Sequence, residues 1–422
     1  MFRRNYRFWW PCALMALAAG SAAADPAAGD ATTLKQAFEA AWQRQPESLS
    51  QQMRQDAAAA QQQAATRWTA EPVALELSTK TDRLNQNLGR DETVAGISIP
   101  LWLPGERTRS VAVADAQARA TASKVRAAQL RTAASVREAY WTWQRARMDH
   151  GLASELLGHA QQLAQDVAKR VRAGDLARAD QHQTEGSLAA AEATLAEATG
   201  ALATAAQRLR TLTGLMPQVP AGGTHGSAIG AEPMPVLPAD SATLLAAHPA
   251  VAELQDSADV AQRSAELAHV QTRANPELTL ATTRDRGQLD EAYQNSITLG
   301  IRIPLGSDSR NRAKRATAQA DAMEAEAQVR LERERLQGDV EAARVGLVSA
   351  QTQVNASQRR AQLARESRAF FQKSFQMGET DLPTRLRMER EAMDAERQAA
   401  RAGIDLAAAQ SALRQTLGLL PE

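Results

Sequence analysis

The stretch Gly96-Ile97-Ser98-Ile99-Pro100-Leu101 returns 204 positions later as Gly300-Ile301-Arg302-Ile303-Pro304-Leu305. The same shift carries Pro72 onto Pro276, Gly174 onto Gly378, Gly214 onto Gly418 and Pro217 onto Pro421 without a gap. Residues that turn or break the backbone, kept in register across two halves, mark an internal repeat. Such a repeat restricts the chain to architectures made of two equivalent units.

The longest stretch of each unit is a rod. From Arg107 to Ala173 the chain has no proline and only Gly151 and Gly158 as glycines, and Asn311 to Met377 is its counterpart. Each run is 67 residues long, about 100 Å of helix at 1.5 Å per residue. That exceeds the width of an ordinary domain and calls for helices that supercoil against neighbours. Aromatic residues make up only 4% of the chain, and the abundance of Ala, Gln, Arg and Glu suits long helices in close approach. Gly174-Asp175-Leu176 and Gly378-Glu379-Thr380-Asp381-Leu382-Pro383 reverse the chain at the end of the rods, because glycine tolerates the left-handed conformation that follows a helix. Leu176 to Thr213 returns for about 57 Å, and Glu47 to Trp68 supplies about 33 Å more, so the two stacked end to end match one rod. Thr32 or Thr33 is placed to cap a preceding helix with Leu34, Ala37, Phe38, Ala41 and Trp42 on one face. In the second half Asp240 or Ser241 has the corresponding place, before Leu244 and Leu245.

Before its rod each unit carries a pair of alternating segments, in the first unit after the helix that ends near Trp68. Val73, Leu75 and Leu77 alternate with polar or small residues, and Ala95, Ile97, Ile99 and Leu101 do so after a polar turn. Leu278 and Leu280, then Ile297, Leu299, Ile301 and Ile303, form the second pair. The returning strands keep their phase between the copies while the outgoing strands differ by one residue, which requires either a bulge or a shifted start. Strands of nine or ten residues fit a tilted crossing of an outer membrane. Four strands cannot close a membrane barrel, whose smallest form has about eight, so several chains would have to pool theirs. Trp102 and Tyr293 stand at strand ends, where interfacial aromatics belong.

Residues 1–24 read as a cleaved signal peptide: Arg3, Arg4 and Arg7, an apolar run from Phe8 to Ala19, and Ala22-Ala23-Ala24 before Asp25. Cys12, the only cysteine, lies inside the apolar run behind Trp10-Pro11, which argues against lipidation. Removing three arginines and no acid turns the formal charge of +1 into −2. That balance gives no reason to expect a nucleic-acid partner. The units then span 25–216, with strands about 72–80 and 93–102 and a long helix about 107–173, and 240–422, with strands about 276–284 and 294–304 and a long helix about 311–377. A Pro- and Gly-rich stretch, 217–239, reads as a linker.

The duplicated order, the hairpins ending in Ile-Pro-Leu, the reversals at Gly174 and Gly378, and the Leu-Thr-Gly-Leu and Leu-Gly-Leu endings together resemble the TolC family of outer-membrane channel subunits, over nearly all of the mature chain. The resemblance implies a fold that is mostly α with a membrane β-barrel portion. It implies a homotrimer whose twelve strands form one barrel in the outer membrane of a Gram-negative bacterium, above a helical tunnel through the periplasm. Its partners would be outer-membrane lipid, a periplasmic adaptor and an inner-membrane pump, with no cofactor and no catalysis. Gly174, Asp175, Leu176, Gly378, Glu379, Thr380, Asp381 and Leu382 would then form the tip on which the adaptor docks, while Pro100, Pro104, Pro304 and Gly306 turn the barrel into the tunnel. Leu101-Trp102-Leu103-Pro104-Gly105-Glu106-Arg107 and the second reversal look most like the CzcC-like branch, which serves heavy-metal cation pumps of the resistance-nodulation-division type. Multidrug or type I secretion channels are the alternative, and a periplasmic adaptor or a structural coiled coil is a more distant one. Multidrug members narrow the closed tip with two acids on the helix after the second reversal. Here those positions are Thr384 and Arg387, and in the first unit only Asp180 keeps an acid, so these three residues are the candidate constriction.

The remaining polar and aromatic residues read as structural. His150, His159, His182, His225, His248 and His269 are scattered and form no metal-binding spacing. Tyr140, Trp141 and Trp143 read as packing midway along the first rod, and Glu332, Arg333, Glu334 and Arg335 as a solvated or intersubunit charged face. Phe370, Phe371 and Phe375 suit either packing or an adaptor surface. The chain has no phosphate loop, nucleophile elbow or zincin helix.

Overall fold

A computed structural model describes residues 32–85, 87–218, 230–236, 246–305 and 308–422. The expected signal peptide, Asp240, Ser241, Leu244, Leu245, His225 and Gly306 lie outside the described residues. The order of elements is α1 (Leu34–Gln43), α2 (Pro46–Ala65), β1 (Ala74–Thr81), β2 (Asp91–Pro100), α3 (Glu106–Ala173), α4 (Arg178–Thr213), α5 (Pro249–Val270), β3 (Glu277–Arg286), β4 (Gln294–Arg302), α6 (Asp308–Gln376) and α7 (Leu382–Thr416). The fold is mostly helical with one small antiparallel sheet, as the sequence predicts.

The helices form four columns. Next to the sheet, α2 packs on α3, α3 on α5 and α5 on α6; beyond the midpoint α4 takes the place of α2 and α7 that of α5. At 68 and 69 residues, α3 and α6 are each about 100 Å long, and each shorter pair stacked end to end covers about 85 Å. Alanine dominates the buried positions of α3 and α4, among them Ala114, Ala116, Ala127, Ala128, Ala133, Ala191, Ala198 and Ala205. Side chains this small let the axes come close at little entropic cost.

Bulk enters where the columns change partners. Thr33 and Gln36 form a reciprocal cap that starts α1, and its Leu34, Ala37, Phe38 and Ala41 lock against Val136, Tyr140, Trp141 and Trp143 of α3, Leu209 of α4 and Ile404 of α7. Tyr140 meets Trp141 edge to face at 5.2 Å, and burial raises its phenol pKa. The three aromatics are therefore core, in keeping with the packing role expected midway along the rod.

Across this belt Arg137 of α3 and Arg414 of α7 meet the carboxylate of Glu232. Its Oε1 lies 2.7 Å from Arg137 Nη2 and 3.2 Å from Arg414 Nε, and the three side chains are 5% exposed or less. Residues 230–236 have neither helix nor strand, yet they are fixed at this point.

Both α2 and α5 open on proline at their first turn, where a missing N–H costs nothing. Upstream of α5, His248 is the cap: its Nδ1 accepts the Ala250 N–H at 3.3 Å. Burial lowers the His248 pKa below the ordinary 6.5, so the folded chain favours the neutral ring that can accept this bond. The stabilisation is complete above the unfolded-state value and is lost as pH falls through the folded-state value. The melting temperature is expected to drop between pH 7.5 and pH 5.5, and His248→Asn, which keeps an acceptor at the cap but cannot titrate, is expected to shrink that drop. An unchanged pH slope in the variant would remove His248 as its source.

The sheet runs β1-β2-β3-β4 with every neighbour antiparallel. In the first hairpin Leu75 pairs with Ile97. In the second, Ile301, the counterpart of Ile97, pairs with Leu278, which stands 203 rather than 204 positions after Leu75. Consecutive residues pair without a break along all three ladders. The phase difference in the sequence is thus a shifted start and not a bulge. It keeps Leu75, Ile97, Leu280 and Leu299 in one row on one face.

Candidate functional site

At the end far from the sheet, two glycines make the reversals possible. Gly174 has φ 88° and Gly378 φ 78°, where a side chain is strained. Beside them Asp175 N donates to Arg170 O at 2.9 Å and Glu379 N to Ser374 O at 3.0 Å, which closes each helix in the same way. Asp381 Oδ1 accepts the Thr384 N–H at 3.2 Å, and hydrogen bonding to Thr384 holds its carboxyl below the usual carboxylate range. Thr380 and Ser374 share a hydroxyl contact of 2.6 Å. Asp180 Oδ2 accepts the Ala177 N–H at 3.1 Å, so one of its oxygens serves to start α4.

The two tips are one structure. Leu163 and Val167 of α3 pack with Phe375 of α6 and with Leu382 and Leu386 of α7, and Val171 and Leu176 close the edge of this cluster. Arg170 and Arg385 both stand over the Phe375 ring, at 5.2 and 4.8 Å from its centroid. Burial lowers the Arg385 pKa. Phe375 is buried and Phe370 is 71% exposed, so the phenylalanine group divides between packing and surface. Gly174, Asp175, Gly378, Glu379 and Arg387 are exposed, while Leu176, Asp180, Thr380 and Thr384 are half-buried. A groove of about 710 Å³ runs back from the tips between α4 and α7, with Asp166, Arg170, Thr184, Arg385 and Glu389 among its lining. Sequence reasoning named the turn residues and missed the apolar cluster behind them, although Leu163, Val167 and Val171, and then Leu382 and Leu386, recur at helical spacing.

At the other end, Pro100 ends β2, Pro104 is exposed in the turn before α3, and Pro304 is half-buried after β4. The residue that ties this junction together is Glu106, which the sequence reading quoted in a motif but gave no role. Its buried carboxylate accepts from Leu103 N at 3.0 Å, Gln271 Nε2 at 2.7 Å and Asn275 Nδ2 at 2.9 Å. Asn275 Nδ2 also donates to Leu101 O at 3.0 Å, and Trp102 Nε1 to Arg67 O at 3.2 Å. Glu106→Ala would leave the buried Leu103 N–H without its acceptor, at about 1–3 kcal/mol, and would take one acceptor from each of the half-buried Gln271 and Asn275. A markedly lower melting temperature with unchanged helix content is the expected result; a melting curve like that of the parent chain would place water within reach of the donors.

The sheet has two unlike faces. Leu75, Leu77, Ala95, Ile97, Ile99, Leu278, Leu280, Ile297, Leu299 and Ile301 share one, and Glu76, Ser78, Ser98, Glu277, Thr279, Thr283, Ser296, Thr298 and Arg302 share the other. On the apolar face Leu75, Leu77, Ile297 and Leu299 are 69–80% exposed. β1 and β4 each have one unpaired edge. Among the described residues no helix is long and apolar enough to cross a membrane, and no group of three His, Cys, Asp or Glu side chains could hold a metal.

Residues 37–215 match the family model described as outer membrane efflux protein. The match covers less than half of the chain, and it falls on the first of the two units. The matched residues span α1 to α4 with the first hairpin, and α5 to α7 repeat that plan with the second. No curated protein matches the chain. Among solved structures, CusC superposes with a TM-score of 0.76 at 18% identity, over 93% of each chain. VceC from Vibrio cholerae gives 0.72 at 18% identity, over 92% of this chain and 97% of its own. MtrE from Neisseria gonorrhoeae, an outer membrane channel solved in its open state, gives 0.73 at 17% identity, over 92% of this chain and 89% of its own. At such identities the likeness is one of fold, and it extends over both halves of the chain.

Proposed function

We propose that this chain is the subunit of a homotrimeric outer-membrane channel in a tripartite efflux system. The observation that carries the reading is the sheet: four strands with an exposed apolar face, a polar opposite face and two unpaired edges, set on the end of columns about 100 Å long. Such a face suits lipid, and such edges are tolerable in lipid only when neighbouring chains close them into a barrel. Three copies give twelve strands, with the polar face lining the lumen and the columns extending the duct into the periplasm. The fold likeness and the efflux family match over residues 37–215 support the same reading.

In this arrangement Gly174, Asp175, Leu176, Gly378, Glu379, Thr380 and Asp381 offer the docking surface for a periplasmic adaptor, with Leu382, expected there but buried in the apolar cluster, supporting it from beneath, and an inner-membrane pump supplies the energy. Asp180, Thr384 and Arg387 lie one or two turns behind the tips, where a tunnel of inclined helices is narrowest. Pro100, Pro104, Pro304 and Gly306 set the change from barrel to tunnel. The cargo we propose is divalent heavy-metal cations, on the resemblance of Leu101 to Arg107 and of Gly378 to Pro383 to CzcC-like channels. Heat-modifiable trimers in outer-membrane fractions test the assembly, and their absence would refute it. A strain lacking only this protein tests the cargo, exposed to zinc, cobalt, nickel, cadmium and copper beside dyes and detergents. Selective hypersensitivity to the cations supports metal export, whereas sensitivity confined to organic compounds assigns the channel to multidrug efflux.

A further inference from the structure

The apolar face of the sheet ends abruptly toward the turns. The row of Leu77, Ala95, Thr282 and Ile297 is the last that is mainly apolar; the next is Thr79, Thr93, Arg284 and Asn295, and then come Thr81, Asp91 and Arg286. Side chains two apart on a strand share a face, so Arg284 and Arg286 point to the same side as Leu278 and Leu280. Tyr293, just before β4, holds both: the Arg284 guanidinium stands 4.2 Å and that of Arg286 4.8 Å from its ring centroid. Two cations on one ring repel each other and gain from an anion between them.

Little in the chain supplies that anion. Arg286 Nε donates to Gly89 O at 3.0 Å, and Arg284 has no hydrogen bond or ion pair among the described residues. The carboxylate on this face, Asp91, stands across from Arg286 in the ladder, but its oxygen is engaged by Tyr293 Oη at 3.3 Å and by Arg83 at 3.5 Å. In the turns Asp82 Oδ2 accepts from Leu88 N at 2.8 Å and Glu291 Oε2 from Gly287 N at 2.9 Å. On the opposite face the cations are matched: Lys80 stands across from Glu92, and Arg302 lies 3.7 Å from Glu277. The net positive charge of the strands is thus on the lipid side, where Arg284 and Arg286 have only the carboxylate of Asp91 beside them. The mount is firm, since Leu289 N donates to Leu88 O at 3.1 Å and joins the two turns.

We infer that Arg284 and Arg286, presented by Tyr293, form a binding site for the phosphate groups of an outer-leaflet lipid. The inference rests on the outer-membrane reading above. A lipid fits better than a free anion because the site is continuous with the apolar rows below it, so acyl chains can lie along Leu280, Ile297 and Leu299 while the phosphate reaches the planar guanidinium forks.

The test uses the purified full-length trimer in detergent, titrated with diphosphoryl lipid A, with the same lipid after dephosphorylation, and with inorganic phosphate, bound lipid being read by native mass spectrometry. Diphosphoryl lipid A is expected to bind, and Arg284→Gln with Arg286→Gln to weaken it about thirtyfold; the dephosphorylated lipid should bind the parent trimer as weakly. Lys80→Gln, on the other face, is expected to change nothing. The paired Arg→Lys variant keeps the charge and provides an assembled trimer should the glutamine pair fail to form one; binding between the two extremes supports the site, and binding equal to the parent overturns it. Equal binding of both lipids, or displacement by inorganic phosphate, also overturns it. If the chain is missing from outer-membrane fractions, the channel reading itself falls; if it resides there and binds both lipids alike, only the rim site does.

Discussion

Replacing Glu232 by alanine is expected to destabilise the folded chain by about 3–5 kcal/mol. The carboxylate is completely buried and meets Arg137 through two hydrogen bonds, Nε to Oε2 at 3.0 Å and Nη2 to Oε1 at 2.7 Å. Arg414 Nε lies 3.2 Å from Oε1, and Arg414 Nη2 lies 3.0 Å from Glu422. Arg137 further donates to Leu419 O, and Arg414 Nη1 to Pro233 O. Glu232 therefore joins α3, the end of α7 and the segment between the two halves. Alanine would leave the buried Arg137 guanidinium without a counter-charge and Arg414 with Glu422 alone, which is far worse than losing one ion pair at the surface. Glu232→Gln keeps the shape and one acceptor and is expected to cost clearly less. Thermal melts followed by helical circular dichroism would order the chains as parent, glutamine, alanine. If alanine melts like the parent, the arginines have found water and the site is not sealed.

Gly378→Pro is expected to abolish efflux while leaving trimers in the outer membrane at the parent level. Proline fixes φ near −65°, against the 78° observed, and it removes the N–H that donates to Phe375 O at 3.2 Å. The reversal must then reopen, and Phe375 and Leu382, which sit on either side of it in the apolar cluster of the tips, cannot both keep their places. The lesion lies about 100 Å from the sheet, so barrel assembly has no reason to respond. Growth in the presence of the exported compound should fall to that of the deletion strain. Gly378→Ala, with no heavy atom within 4 Å of the new Cβ, carries only backbone strain and is expected to retain most of the activity. Loss of membrane trimers with the proline variant would contradict this assignment of the tip.

Much of the architecture is legible because it is written in local signals. The absence of proline from Arg107 to Ala173 announces a rod, and the alternation around Leu75, Ile97, Leu280 and Leu299 announces a sheet with one apolar face. Even the one-residue offset between the hairpins is visible as a change of phase, although only pairing distinguishes a shifted start from a bulge. What escapes the sequence are contacts between residues far apart in the chain. Glu232 sits in a Pro- and Gly-rich stretch that composition assigns to a linker, and its partner Arg137 is 95 positions away. Glu106 follows a glycine at the start of a helix, where an acid is ordinary, and its donors Gln271 and Asn275 belong to the other half. The tip shows the same division: Gly174 and Gly378 are readable from backbone rules, while the meeting of Leu163 and Val167 with Phe375 depends on how two hairpins lie side by side.

In the barrel proposed above, the unpaired edges of β1 and β4 have a consequence for how the chain enters a membrane. A single chain that entered hydrocarbon would bring two rows of unsatisfied backbone N–H and C=O groups with it, at several kcal/mol for each group. Insertion of a lone subunit followed by lateral association is therefore a forbidden route. Closure and insertion must be one event, and the quantity of channel recovered from the membrane should rise more steeply than in proportion to the amount of chain synthesised.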